Sequence, residues 1–81
     1  MTNSDTDRSV RKHIEHLVSE EHRLYGQNNL SEAERLRLQE VKIELDQCWD
    51  LLRQREARRE FSQDPNEAKV RPPSVVERYK Q

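Results

Sequence analysis

Two stretches of the chain repeat apolar residues at the alternating three- and four-residue steps of an amphipathic helix. The stricter repeat is the second, with members Leu38, Val41, Leu45, Cys48 and Leu52. The first repeat has Val10, Ile14, Leu17, Glu21 and Leu24, so a carboxylate interrupts it. Residues at these steps fall on one side of a helix. The pattern therefore predicts an all-α fold, an antiparallel helical hairpin with a coiled-coil-like seam.

Capping signals place the first helix at about residues 5–25. Ser4 followed by Asp7 predicts an N-cap with an acidic first turn. Gly26 is the only glycine, and its place directly after Tyr25 predicts a left-handed C-cap. The first helix is therefore expected to end there.

The second helix is expected over about residues 32–63, after a polar turn at 26–30. Ser31 and Glu34 have the spacing of a capping box, and no proline or glycine follows before residue 63. If the chain reverses at this turn, the N-terminal end of the first helix lies level with Leu52 of the second. The later turns of the second helix are then unaccompanied.

A tail of residues 64–81 completes a single predicted domain, 1–81. Asp64 before Pro65 predicts a capped turn with proline in its first helical position. Pro72 and Pro73 predict an extended segment after that turn. Ser74 three residues before Glu77 predicts a last capping box.

The second helix carries a further apolar line, Leu36, Ile43 and Leu51, roughly opposite its seam. One hairpin partner covers only one of these two lines. The chain is also short of apolar material, at 31% hydrophobic and 38% charged residues, and Cys48 has no second cysteine to pair with. Small folds of this kind usually need oligomerisation. The sequence therefore predicts a homodimer in a four-helix arrangement, or a tail that folds back over the second line.

Candidate chemistry is sparse, and the sequence predicts no catalytic site, cofactor or metal. His16 and Glu20 lie one turn apart, but the Glu-x-x-His pattern of di-iron helices is absent. Cys48 lies on the seam, where a thiol behaves as a small apolar group. Glu21 is expected to pair with Arg35 or Arg37 of the facing helix, or to fix register.

Charge and hydropathy limit the location and the partners. A formal net charge of −1 gives no general attraction to nucleic acid or to acidic membranes. No run approaches the ~20 apolar residues of a membrane span, and the first ten residues have no apolar signal region. A lone thiol together with no export signal indicates the cytoplasm.

These features favour a non-enzymatic interaction or adaptor module with a protein partner. Its candidate partner surface is Leu36, Ile43, Trp49, Leu51, Phe61, Val70, Arg71, Pro72 and Pro73. The alternative is a small nucleic-acid- or ribosome-associated factor. Its candidate contacts are Arg53, Arg55, Arg58 and Arg59, although Glu56 and Glu60 dilute that charge.

The Cys-Trp-Asp-Leu-Leu run at 48–52 and the Val-Arg-Pro-Pro run at 70–73 are distinctive. With the Leu-Val-x-Glu-Glu-His pattern at 17–22, they resemble a family of short actinobacterial proteins catalogued only as a domain of unknown function. The resemblance covers nearly the whole chain. It implies a helical, free-standing cytosolic protein, and it brings no activity, cofactor or site residue.

Overall fold

The computed structural model describes residues 6–78. It contains two long helices, α1 (Asp7–Tyr25) and α2 (Glu32–Glu60), then a 3₁₀ turn at Pro65–Glu67 and a short helix, α3 (Pro73–Arg78). α1 packs on α2 as a hairpin, and both elements of the tail also pack on α2. No strand occurs over the described range. The predicted all-α hairpin with a C-terminal tail is confirmed, whereas four-helix pairing stays a prediction.

Both ends of α1 differ from the sequence expectation. Thr6 is the N-cap, and its Oγ1 accepts a hydrogen bond from the Ser9 backbone N–H at 3.2 Å. Ser4, the expected cap, lies outside the described residues. Gly26 has φ −77° and ψ −8°, so the predicted left-handed cap is wrong. Its N–H instead donates to the His22 carbonyl at 3.0 Å, because the backbone makes one more near-helical turn before it leaves α1.

The start of α2 is the predicted capping box. Ser31 Oγ accepts from the Glu34 backbone N–H at 3.1 Å, and Glu34 Oε1 accepts from the Ser31 N–H at 2.9 Å. Two N–H groups that the helix itself leaves unpaired are thereby satisfied.

α2 ends at Glu60, before the expected end near residue 63, because Ser62 adopts a left-handed φ of 58°. The N–H of Ser62 donates to the Arg59 carbonyl at 3.1 Å, and the N–H of Gln63 donates to the Arg58 carbonyl at 2.6 Å. These two bonds form a Schellman motif, which is usually built on glycine. The sequence did not indicate this helix end because serine occupies the position that glycine usually takes in the motif.

The hairpin core is the predicted seam. Its buried members are Val10, Ile14, Leu17 and Leu24 from α1, and Val41, Leu45 and Leu52 from α2. Each such side chain stabilises the fold by about 1.5–3 kcal/mol when fully buried. The pairing expected for Glu21 is wrong, because Arg37 binds Glu20 instead, through two bonds of 2.6 and 2.8 Å. Glu20 is the residue before Glu21 and lies about 100° away from it around α1, at the half-exposed edge of the seam.

The tail runs back along α2 in the antiparallel direction. Pro65 and Lys69 offer backbone carbonyls to Arg55 and Gln54, and Arg71 reaches Asp50 further toward the α2 N-terminus. This fold-back buries Ala68 and Val76 of the tail and Leu51 of α2; the same line's Leu36 stays exposed and its Ile43 half-buried. The tail therefore covers one end of the second apolar line.

The turn signals of the tail are partly right. Asp64 Oδ1 accepts from the Asn66 N–H at 2.9 Å and caps the 3₁₀ turn as predicted. Ser74 is not a cap, because α3 begins at Pro73 and the Val75 and Val76 N–H groups donate to the Pro72 carbonyl. The fixed φ of proline suits it to this first helical position.

The last turns of α2 are not unaccompanied. Asp7 of α1 binds Arg55 at 2.5 Å and Arg59 at 2.8 Å, so the first turn of α1 is level with these residues. Leu52 is therefore not the limit of the hairpin. Across the described chain, neither long helix has both the length and the apolar composition needed to cross a bilayer.

Candidate binding cleft

A cleft of about 330 Å³ opens between α1, α2 and the tail. α1 and α2 supply most of its lining and the tail supplies one residue; the lining is Ser9, Val10, His13, Glu44, Gln47, Cys48, Leu51 and Val70. The four α2 residues recur at three- and four-residue steps, so they share one flank of that helix. Sequence reasoning missed this flank because only two of its four members are apolar.

The floor of the cleft is apolar. Val10 and Leu51 are buried core residues, with Leu51 only 3% exposed, and Cys48 is half-buried beside them. Val70 of the tail forms a further wall of the cleft and remains 58% exposed. Apolar surface therefore continues from the floor onto the outer edge.

Polar side chains are confined to the rim. His13 Nε2 lies 3.8 Å from Glu44 Oε1, an ion pair when the imidazole is protonated. Glu44 Oε2 also accepts from Arg37 at 3.4 Å, and the Gln47 amide donates to the Arg71 carbonyl at 3.0 Å. These contacts join the two helices and the tail around the opening.

Cys48 is chemically quiet in this setting. Burial raises the pKa of its thiol, and the nearby Glu44 carboxylate raises it further. The thiolate is the nucleophilic and metal-binding form, so a raised pKa works against both roles. The thiol thus acts as part of the apolar floor.

An ion pair between Asp50 and Arg71 holds the tail segment that carries Val70. Asp50 is 2% exposed, and its two oxygens accept from Arg71 at 2.5 and 2.9 Å. Gln54 donates a third hydrogen bond at 2.9 Å. The Arg71 hydrogen bonds hold the pKa of Asp50 below its ordinary value, against the opposing effect of burial.

The candidate partner surface does not form one patch. Leu51 is buried, so the structure corrects its assignment to an exposed line of α2, while Arg71 is 36% exposed and binds Asp50. Both belong instead to the attachment of the tail. Leu51 and Val70 do meet at the cleft. The remaining candidates do not line it: Leu36, Ile43, Trp49, Phe61, Pro72 and Pro73.

Three of the four candidate nucleic-acid arginines are engaged within the chain. Arg55 is buried and binds Asp7, the Pro65 carbonyl and the Asn66 side chain, so its assignment as a phosphate contact is wrong. Arg58 forms an ion pair with Glu67 at 3.4 Å, and Arg59 forms one with Asp7 at 2.8 Å. Arg53 is exposed.

Metal-binding side chains are dispersed. Of the histidines, His13 lines the cleft, while His16 and His22 are exposed on other parts of α1. Within residues 6–78, His, Cys, Asp and Glu side chains form no group of three arranged to hold a metal ion.

Comparison with known proteins gives the family. The model of the family described as "Protein of unknown function (DUF2630)" matches residues 6–81. The uncharacterized proteins Rv0898c of Mycobacterium tuberculosis (strain ATCC 25618 / H37Rv) and Mb0922c of Mycobacterium bovis are each 50% identical to this chain, over 91% of it and 90% of their own length. No solved structure matches. Because the family model spans nearly the whole chain, this protein belongs to the DUF2630 family.

Proposed function

We propose that this protein is a non-enzymatic interaction module that holds an apolar segment of a partner protein in the cleft between α1, α2 and the tail. The observation that carries the proposal is the apolar floor of a cavity of about 330 Å³ with polar groups at its rim. Pockets of about 300–1,000 Å³ with this distribution are typical binding sites. A cavity near the lower limit suits one or two side chains.

The outer wall favours a protein segment over an enclosed small molecule. Val70 is 58% exposed and extends the apolar surface beyond the cavity, where a longer ligand would contact it. His13 and Glu44 place opposite charges at the rim, and Ser9 adds a hydroxyl. A polar rim around an apolar centre is the usual composition of a protein interface.

The chemistry of the lining supports a binding role without catalysis. Cys48 is the nucleophilic side chain that the floor contains, and burial raises the pKa of its thiol. A reactive cysteine needs the opposite, a partly exposed and electropositive setting. The cytoplasm is the proposed location, since a lone thiol suits a reducing compartment.

The nucleic-acid alternative has weaker support. Arg55 is buried, and Arg58 and Arg59 are within 4 Å of carboxylates, so phosphates would have to compete with existing ion pairs. A salt-sensitive mobility shift lost in the Arg53→Glu variant would revive this alternative.

The first experiment locates the contact. A photo-crosslinking amino acid is placed at position 70, on the cleft wall, or at position 75, an exposed site on α3 that does not line the cleft. Each full-length protein is irradiated in an extract of its own source cells. We expect a protein adduct from position 70 that is absent from position 75. Equal adducts from both positions, or none from position 70, contradict the proposal.

The second experiment measures affinity with the captured protein after purification. Val70→Asp introduces a carboxylate at the wall, and we expect binding to weaken by at least about tenfold, which corresponds to 1.4 kcal/mol. Val75→Asp is the matched control and should bind like the wild type. Equal affinity of the two variants would place the contact elsewhere.

A further inference from the structure

Trp49 lies on the side of the hairpin that the tail leaves open. It is 43% exposed and adjoins Arg11, Ile14 and Glu15 of α1 around a shallow depression. Leu51, which faces the tail and the cleft, is two residues away and therefore about 160° around the helix. The Trp49 face and the binding cleft are consequently on opposite sides of the molecule.

We propose that this face binds a second copy of the chain, with the two α2 helices antiparallel and a two-fold axis passing beside Trp49. The charges on α2 are arranged for this pairing. Lys42 and Glu56 lie seven residues before and after Trp49, and Asp46 and Arg53 lie three before and four after. Seven residues are about two helical turns, so all of them share the Trp49 side.

Antiparallel pairing about Trp49 brings unlike charges together. Lys42 of one copy faces Glu56 of the other, and Asp46 faces Arg53. Each pair occurs twice, as two-fold symmetry requires. Parallel pairing would instead set Lys42 against Lys42 and Glu56 against Glu56, so the charges select the antiparallel arrangement.

The neighbouring surface of α1 also brings unlike charges together under this two-fold symmetry. Asp7 is level with Arg55 and Arg59, and Glu20 is level with Arg37, so the part of α1 near residues 12–13 is level with Trp49. Arg11 and Glu15 lie on either side of that level and both adjoin the indole. The same two-fold axis sets Arg11 of one copy opposite Glu15 of the other.

Four of the charged side chains on this face form no ion pair with another described residue. Among the described side chains, no ion pair involves Arg11, Glu15, Arg53 or Glu56. The tail side differs, since its arginines bind carboxylates of the same chain. An exposed indole flanked by self-complementary charges fits a copy of itself, with the aromatic residue as the central anchor.

The first test measures association of the full-length protein. Sedimentation equilibrium should show a dimer, and the emission of Trp49, the only tryptophan, should shift to shorter wavelength as concentration rises. Trp49→Ala should be a folded monomer by circular dichroism and sedimentation. Phe61→Ala, which removes an exposed aromatic ring at the far end of α2, is the control and should remain a dimer. A wild-type monomer at the highest soluble concentration overturns the proposal.

The second test exchanges charges to fix the orientation. Lys42→Glu or Glu56→Lys alone should raise the dimer dissociation constant by about tenfold or more, and the double variant should restore it. Because Lys42 also lies 5.2 Å from the Tyr25 ring, the exchange of Arg11 and Glu15 provides an independent pair. Lys69→Glu, on the exposed part of the tail, is the control for net charge. Double variants as weak as the single ones would rule out this antiparallel arrangement.

Discussion

The ion pair between Asp50 and Arg71 attaches the tail to α2, and its removal tests that attachment directly. Asp50 is 2% exposed and accepts two hydrogen bonds from Arg71 and one from Gln54. Arg71→Met removes the guanidinium but keeps an apolar stem of similar length. The Asp50 carboxylate is then left buried with Gln54 as its remaining donor from this group.

The size of the effect follows from burial. Removal of one partner from a fully buried ion pair costs about 3–5 kcal/mol. The Arg71 side chain is 36% exposed and Gln54 still donates, so we expect Arg71→Met to lower the free energy of unfolding by about 2–3 kcal/mol. This is a large share for a fold whose core supplies about 3–5 kcal/mol. The double variant Asp50→Leu, Arg71→Met leaves no unpaired charge and should lie within about 1 kcal/mol of the wild type.

The assay is urea unfolding followed by far-ultraviolet circular dichroism, at one fixed protein concentration because self-association would shift the midpoint. Lys69→Met is the matched control, since it removes an exposed tail charge that forms no ion pair with a described side chain. The reasoning fails if Arg71→Met stays within about 0.5 kcal/mol of the wild type, the range of ordinary surface substitutions. It also fails if the double variant is no more stable than Arg71→Met.

Four further predictions concern the two helix ends, pH and the thiol. Gly26→Ala should stabilise the fold by about 0.4–1 kcal/mol, because φ is −77° and the added Cβ meets its nearest carbonyl at 3.4 Å; a lower urea midpoint would contradict this. Ser62→Gly should also stabilise it, by about 0.5–1 kcal/mol, because φ is 58°; a midpoint at or below that of the wild type would count against it. Asp7 and Asp50 have folded-state pKa values lowered chiefly by hydrogen bonds from Arg59 and Arg71 respectively, so their contribution is complete above the ordinary pKa of 3.8 and is lost as pH falls below it. Urea midpoints that do not fall on acidification below about pH 4 would refute that assignment. Cys48 should be alkylated more slowly in the folded protein than in urea at neutral pH, because burial raises its thiol pKa, and equal rates would refute this.

The hairpin could be predicted from the sequence because its signals are local. The three- and four-residue repeat places Val41, Leu45 and Leu52 on one side of α2 whatever the rest of the chain does. The Ser31 and Glu34 capping box is likewise complete within four residues. Such patterns depend on helical geometry alone, and the structure reproduces them.

The tail attachment and the cleft could not be predicted in the same way. The Asp50 and Arg71 pair joins residues 21 positions apart, and nothing in the pattern around either residue selects the other. Sequence reasoning assigned Arg71 to a partner surface as part of the Val-Arg-Pro-Pro run of the tail. The cleft depends on that pair, since Val70, the residue directly before Arg71, forms its outer wall.

The two proposed surfaces, the cleft and the Trp49 face, are both built on α2, but different substitutions should disrupt each of them. Arg71 anchors the wall that carries Val70, so loss of the ion pair should weaken partner binding in the cleft. Trp49 lies on the opposite side of α2, and its replacement should abolish dimerisation while each cleft stays intact. Antiparallel pairing through the Trp49 face turns the two clefts outward and away from each other. A dimer of this form presents two binding sites to one partner assembly, and the second contact then forms at a high effective concentration. A small, weakly apolar protein could therefore achieve firm binding through paired weak sites.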